Sequence, residues 1–304
     1  MNEGTPVVAV LGAGLWGRNL LRIFDEVANV QWCLHAGSEE TDQWLQKTYP
    51  AVKVTTEYED ILEDASVDAV VVATPNPTHV EFAEQALRAD KHVFVEKPLA
   101  TVGESPTTII ELADYRNLTL FVGYVFLYHP VFDKLRAWDN EFVLIRHDWQ
   151  KTGSFGVNVV ENLVCHEIAV SHHLLGVISD VYVHDAWGRR DRTDVLTVEL
   201  RFENGARSVV HTNRLSPTKQ KIVTLLDEAG NVLAWDGDQL FVLDNDAEQF
   251  ELQFEATEEP LKREANAFLR AMRSGGEVRS DGAFGVCVND VVATVRDRTV
   301  SYCE

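Results

Sequence analysis

Val7-Val8-Ala9-Val10-Leu11 runs directly into Gly12-Ala13-Gly14-Leu15-Trp16-Gly17, and no other stretch restricts the fold of this chain as tightly. The apolar run reads as a buried strand, and glycines at the first, third and sixth positions after it let the backbone reverse into a helix without a Cβ in the way. Such a turn aims the first amides of a helix at an anion. In an open parallel sheet it receives the pyrophosphate of a dinucleotide. The glycine pattern by itself also fits a flavoprotein or an unrelated turn. Its context favours nucleotide binding, because a predicted strand precedes it and Leu20, Leu21, Phe24 and Val27 follow at helical spacing. Gly12, Gly14, Leu15, Trp16 and Gly17 are therefore candidate cofactor contacts.

Short apolar runs at residues 7–11, 30–34, 52–54, 69–73, 92–95 and 118–122 alternate with amphipathic segments, a βαβ rhythm. Thr78-His79-Val80-Glu81 reads as a capping box that opens a helix, and Ser105-Pro106 as the start of another. After Gly123 the pattern changes to one helical region at 162–175 and then sequential strands, with Asn204-Gly205 and Asp236-Gly237 supplying hairpin turns. Leu261, Phe268, Leu269 and Met272 then mark a helical face. A chain of 304 residues exceeds the usual size of one core. The expectation is an α/β protein: a Rossmann domain over 1–123 with a doubly wound parallel sheet, and an α+β domain over 124–304 with a large, mostly antiparallel open sheet.

The strand ends carry the candidate chemistry. His92-Val93-Phe94-Val95-Glu96-Lys97-Pro98 presents a carboxylate and a lysine at the end of the fifth strand. An isolated Glu-Lys pair is a surface ion pair; at the carboxyl end of a parallel strand, Lys97 becomes a donor whose pKa falls on desolvation, with Glu96 as its partner. At the fourth strand, Thr74-Pro75-Asn76-Pro77-Thr78-His79 leaves the sheet as a proline-bracketed loop where open α/β folds place ligands. Thr74, Pro75, Asn76 and His79 join the cofactor candidates. The second strand ends in His35-Ala36-Gly37-Ser38, without a carboxylate for the ribose hydroxyls until Glu39. Ser38 can donate to a 2′-phosphate, but no Arg or Lys follows it, and Arg18 is equally a solvent-facing helix residue. NAD and NADP both remain open.

Composition restricts the partners. Against 27 Lys and Arg stand 48 Asp and Glu, a formal charge of −21, which repels nucleic acid. Dense carboxylates suit either ordinary solubility or a high-salt setting. Cys33, Cys165, Cys287 and Cys303 are scattered without paired spacing, which argues against a disulfide framework and a thiolate metal site. No apolar run reaches the ~18 residues of a membrane span, and no basic leader precedes an apolar stretch. The expectation is a cytoplasmic protein that binds neither membrane nor metal.

Taken together, Gly12-x-Gly14-x-x-Gly17, residues 74–79 and Lys91 to Pro98 resemble the glucose-fructose oxidoreductase and inositol dehydrogenase family. Phe121-Val122-Gly123-Tyr124 with Tyr128-His129-Pro130 is similar to that family's domain junction, and Pro260-Leu261 through Ser280-Asp281-Gly282 to its C-terminal helical return. Trp16-Gly17-Arg18-Asn19 and Tyr128-His129-Pro130 most resemble the nucleotide-sugar 3-dehydrogenases of surface-polysaccharide synthesis. The resemblance implies hydride transfer between a nicotinamide and a secondary alcohol or ketone of a sugar, polyol or nucleotide sugar, in a homodimer or tetramer. It also implies that Lys97 and His166 flank the substrate carbon, with His166 accepting the hydroxyl proton. The family places an acid four residues before this histidine, on the same α-helical face. Here Asn162 stands there and cannot ionise. A catalytically weakened protein that binds dinucleotide and sugar is the alternative.

Overall fold

A computed structural model describes residues 4–153, 157–189, 192–244 and 246–299. The chain separates into two compact units, one running to Val125 and resuming over Glu259–Cys287, the other comprising Phe126–Glu258 and the chain from Val288.

The first unit is built from β1 (Val7–Leu11), α1 (Leu15–Val27), β2 (Asn29–Leu34), α2 (Glu39–Thr48), β3 (Lys53–Thr55), α3 (Glu59–Leu62), β4 (Ala69–Val72), α4 (His79–Arg88), β5 (His92–Glu96), α5 (Thr107–Arg116) and β6 (Leu120–Gly123). Its six strands pair in parallel in the order β3-β2-β1-β4-β5-β6. The order reverses between β1 and β4, so the crevice for a ligand opens where Gly12 and Ala73 leave the sheet. β1, β4 and β5 are almost wholly buried, which explains why they read as continuous apolar runs rather than alternating ones.

The second unit begins with α6 (Pro130–Arg136), β7 (Phe142–Thr152) and α7 (Cys165–Leu175). It continues through β8 (Ile178–Arg189), β9 (Arg192–Phe202), β10 (Arg207–Asn213), β11 (Leu215–Asp227), β12 (Val232–Asp236), β13 (Gln239–Asp244) and β14 (Gln249–Glu255). Eight strands form one sheet in the order β14-β13-β12-β11-β7-β10-β9-β8. Pairing is antiparallel except between β7 and β10, as the sequence led one to expect of a mostly antiparallel sheet. Gly205 and Gly237 take positive φ, 87° and 54°, in the hairpins expected at those residues. β7, β13 and β14 were not anticipated.

The chain closes with α8 (Pro260–Ser274) and α9 (Gly282–Thr299). Pro260 occupies the first turn of α8 and Gly275 its left-handed C-terminus, the sequence signals that bound a helix. Phe268 on α8 meets Phe24, Phe94 and Phe121 edge-on at 6.2, 5.7 and 5.7 Å, and all four rings are fully buried. α8 thus belongs to the core of the first unit, although the sequence reading had assigned everything after 123 to the second. The capping box is not formed either: the Thr78 hydroxyl bonds Thr74 Oγ1 at 2.7 Å and the Pro75 carbonyl at 2.8 Å, because residues 76–78 make a turn of 3-10 helix before α4 starts. Among the described residues no helix is long and apolar enough to cross a membrane.

Candidate active site

Each glycine of the first turn has its own reason. Gly12 sits at φ +101°, and a Cβ there would lie 2.6 Å from the Ala73 carbonyl oxygen. A Cβ on Gly17 would fall on the carbonyl oxygen of Gly12, so the third glycine lets α1 pack against the strand exit. Gly14 is different: a Cβ would meet nothing within 4 Å. It is the N-cap of α1, with no side-chain cap and no acidic residue in the first turn of the helix. Leu15 and Trp16 follow it on the surface, 94% and 43% exposed. Uncapped amides at the positive end of a 13-residue helix, with open space over Gly14, fit a pyrophosphate.

The Trp16 indole donates to Glu96 Oε1, and the Lys97 amide donates to Glu96 Oε2 at 3.2 Å. The glycine turn and the charged end of β5 are therefore tied together, with Lys97 half-buried beside them. His79 is only 1% exposed and faces the Thr74 carbonyl at 2.9 Å and the Pro98 carbonyl at 2.8 Å, one with each ring nitrogen. It clasps the β4 exit to the β5 exit. Burial pushes its pKa down even though two carbonyls favour the charged ring. Pro75 is exposed and Asn76 half-buried on the same exit loop.

Glu264 of α8 is fully buried, and among the described residues neither of its carboxyl oxygens has a hydrogen-bond partner. Burial raises its pKa well above the ordinary range and the Glu96 charge adds to this; burial likewise lifts Glu96 to about 7 against the pull of Trp16 and Lys97. Both groups are held more easily as acids. Their contribution to stability is present below the ordinary carboxylate range and is lost as the pH rises through the raised values. Glu264→Gln is accordingly expected to raise the Tm at pH 8 and to leave it near wild type at pH 4. Scanning calorimetry at both pH values checks this, and an equal change at the two would contradict it.

At the end of β2, Ser38 caps α2, its hydroxyl accepting from the Thr41 amide at 3.4 Å. Arg18 leans from α1 with its guanidinium 4.3 Å from the Trp44 ring centre on α2, which brings a cation toward the segment following β2. The acidic first turn of α2, Glu39, Glu40 and Asp42, opposes a second phosphate. The balance decides for neither NAD nor NADP.

In the second unit, His166 lies on α7 with its ring edge-on to Phe126 at 5.1 Å and tilted against Trp149 at 5.9 Å. Asn162 falls in a π-helical turn, Val160–Val164, that precedes α7. The α-helix expected over 162–175 therefore opens in a wider turn, and residues four apart still lie on one side of it. His173 packs edge-on against Phe132. On the sheet, Lys221 of β11 pairs with Trp149 of β7, and Val223 pairs with both His147 of β7 and Trp235 of β12. Lys221, Trp149, Val223 and Trp235 line a cavity of about 590 Å³ together with Phe126 and Gln220. Lys221 and its buried partner Glu167 were missed. The available signal was strand parity, since Lys221 shares the face of the buried Val223 and Leu225.

A parallel sheet reversing beside an uncapped glycine turn defines a dinucleotide-binding unit of the Rossmann type. Residues 7–124 match the model of the oxidoreductase family with the NAD-binding Rossmann fold. Its cofactor class is the pyridine dinucleotide, NAD or NADP. The chain is similar to the scyllo-inositol 2-dehydrogenase (NADP(+)) IolW of Bacillus subtilis, 32% identical over 146 residues, 47% of this chain and 37% of the relative. It is also similar to the UDP-N-acetylglucosamine 3-dehydrogenase of Acidithiobacillus ferrooxidans, 28% identical over half of each chain. The matches thus span about a third to a half of these relatives. The solved structure of the latter enzyme, GnnA, superposes with a TM-score of 0.90 over 98% of this chain and 99% of that one at 21% identity, a likeness of fold.

Proposed function

We propose that the chain is an NAD(P)-dependent oxidoreductase that moves hydride between the nicotinamide and a secondary alcohol or ketone of a sugar, polyol or nucleotide sugar. The observation that carries this reading is the Trp16–Glu96 hydrogen bond, which joins the pyrophosphate turn to the strand end bearing Lys97. Relatives named for oxidising a ring hydroxyl of an inositol and of a nucleotide sugar support the substrate class. Residues within 1–123 hold the cofactor, and residues within 124–304 hold the substrate.

The bound dinucleotide supplies a two-electron acceptor or donor for hydride. Lys97 donates a hydrogen bond to the substrate oxygen. In the oxidative direction neutral His166 takes the hydroxyl proton, and in the reductive direction it returns it. Asn162 holds a hydroxyl or the imidazole and moves no proton. That last point favours the second reading, a dinucleotide- and sugar-binding protein of weakened catalysis. The absorbance of reduced nicotinamide, followed with NAD and NADP against sugars, polyols and nucleotide sugars, tests the two. Calorimetric binding of cofactor without turnover of any substrate selects the second.

The same reading includes a homodimer or tetramer in a reducing, cytoplasmic setting. Exposed Tyr182 and Trp187 on β8, Val143 and Leu144 on β7, and Phe250 and Leu252 on β14 support association through the sheet. The scattered spacing of the four cysteines, without paired intervals, supports the compartment. Light scattering is expected to give at least twice the 34.2 kDa chain mass, and a monomer overturns the assembly.

A further inference from the structure

The reaction above leaves unused a buried ionic chain beside His166. Lys221 Nζ lies 3.1 Å from Glu167 Oε1, and the other oxygen of Glu167 pairs with His147 Nδ1. His147 Nε2 meets Ser171 Oγ at 2.8 Å, and Ser171 meets Ser208 at 2.8 Å. Glu167 is fully buried, His147 is 1% exposed, and the Lys221 side chain keeps 20% exposure while its nitrogen is covered. Taking such a pair out of water costs more than its attraction returns unless the geometry is good, and an apolar residue at 221 would avoid that cost.

The cover over the nitrogen is informative. Lys221 Nζ lies 2.9 Å from the centre of the Phe126 ring and 4.3 Å from that of Trp149. Those are the two rings that pack against His166. We propose that Lys221 is a positioning residue for His166: its ammonium, locked on Glu167, fixes the two aromatic rings that seat the imidazole and disfavours a second positive charge on that imidazole. The proposal rests on the reading of His166 as proton acceptor. It gives this chain an electrostatic bias on the histidine that Asn162, lacking charge, does not supply.

Among the described residues few charged or titratable groups stand around Lys221. Glu167 and Cys165 face it from α7, and His147 stands behind Glu167 on β7. Asp236 of β12 and Lys219 of its own strand line the cavity. Burial lowers the Lys221 pKa to about 8, against the opposing pull of Glu167. Burial also raises Glu167, but the charges of Lys221 and His147 outweigh it and keep that carboxyl ionised. The ammonium is thus present at neutral pH and is lost as the pH rises through about 8, and its hold on Phe126 and Trp149 weakens with it.

The test is the titration of His166 by NMR through its ring Cε1–H resonance, assigned by its loss in His166→Gln. Lys221→Met is expected to raise the His166 midpoint by about one pH unit, Lys221→Arg to leave it near wild type, and Glu167→Gln to lower it. Should Lys221→Met fail to fold by its thermal melt, Glu167→Gln and the wild-type protein still decide, because the wild-type resonance is expected to carry a second inflection near pH 8. An unchanged midpoint in the folded variants together with a single inflection overturns the proposal. None of these readouts needs turnover. Coupled titration without oxidoreductase activity therefore keeps Lys221 in this role and rejects the reaction, whereas activity without coupling does the reverse.

Discussion

Lys97→Met is expected to lower kcat by about 10²- to 10⁴-fold while dinucleotide affinity stays near that of the wild type. The side chain keeps its length and loses its donor, so the substrate oxygen loses a hydrogen bond that strengthens as charge develops on it. The contacts that organise the cofactor turn survive, because Lys97 holds Glu96 through its backbone amide and Trp16 holds it through the indole. Stopped-flow or steady-state absorbance gives the rate, and calorimetry gives the affinity. A variant that turns over at the wild-type rate removes Lys97 from the chemistry, and one that loses cofactor binding as well makes it a structural residue of the crevice.

Replacing the glycines one at a time is expected to separate folding from binding. Gly17→Ala drives a methyl onto the Gly12 carbonyl oxygen, a backbone atom that cannot swing aside, and should cost about 1–3 kcal/mol of stability along with cofactor binding. Gly14→Ala meets no atom within 4 Å and should leave the Tm nearly unchanged, while its methyl takes up the space into which the pyrophosphate fits and weakens dinucleotide binding tenfold or more. Equal losses of stability in the two variants would remove Gly14 from the binding cradle. Full affinity in Gly14→Ala would do the same.

The sequence made the first unit legible because its information is local. Gly17 answers to the Gly12 carbonyl within one strand, turn and helix, and β4 and β5 are buried on both faces, so their apolar runs leave no doubt about where they lie; the contact of Gly12 with Ala73 is the part that reaches to another strand. The second unit depends on pairings far apart in sequence. Lys221 is an ordinary polar residue in a strand until β7 brings Trp149 opposite it and α7 lowers Glu167 onto it. The same distance effect hid the place of α8, whose amphipathic face was plain but whose target, Phe24, Phe94 and Phe121, lies over 140 residues earlier. At Asn162 the difficulty was instead one of geometry. The turn there is π-helical rather than α-helical, and such a turn is not announced by any residue type.

The return of residues 259–287 to the first unit bears on the order in which the chain matures. A growing polypeptide exposes the sheet strands of that unit first, yet Phe268 and Glu264 leave the ribosome only after Phe126–Glu258 of the second unit have been made. Until then the stacked rings of Phe94 and Phe121 lack their lid. The N-terminal unit is begun first and finished near last, so translation must carry an open apolar surface across roughly 130 residues of intervening synthesis, a period in which chaperones find their natural substrate.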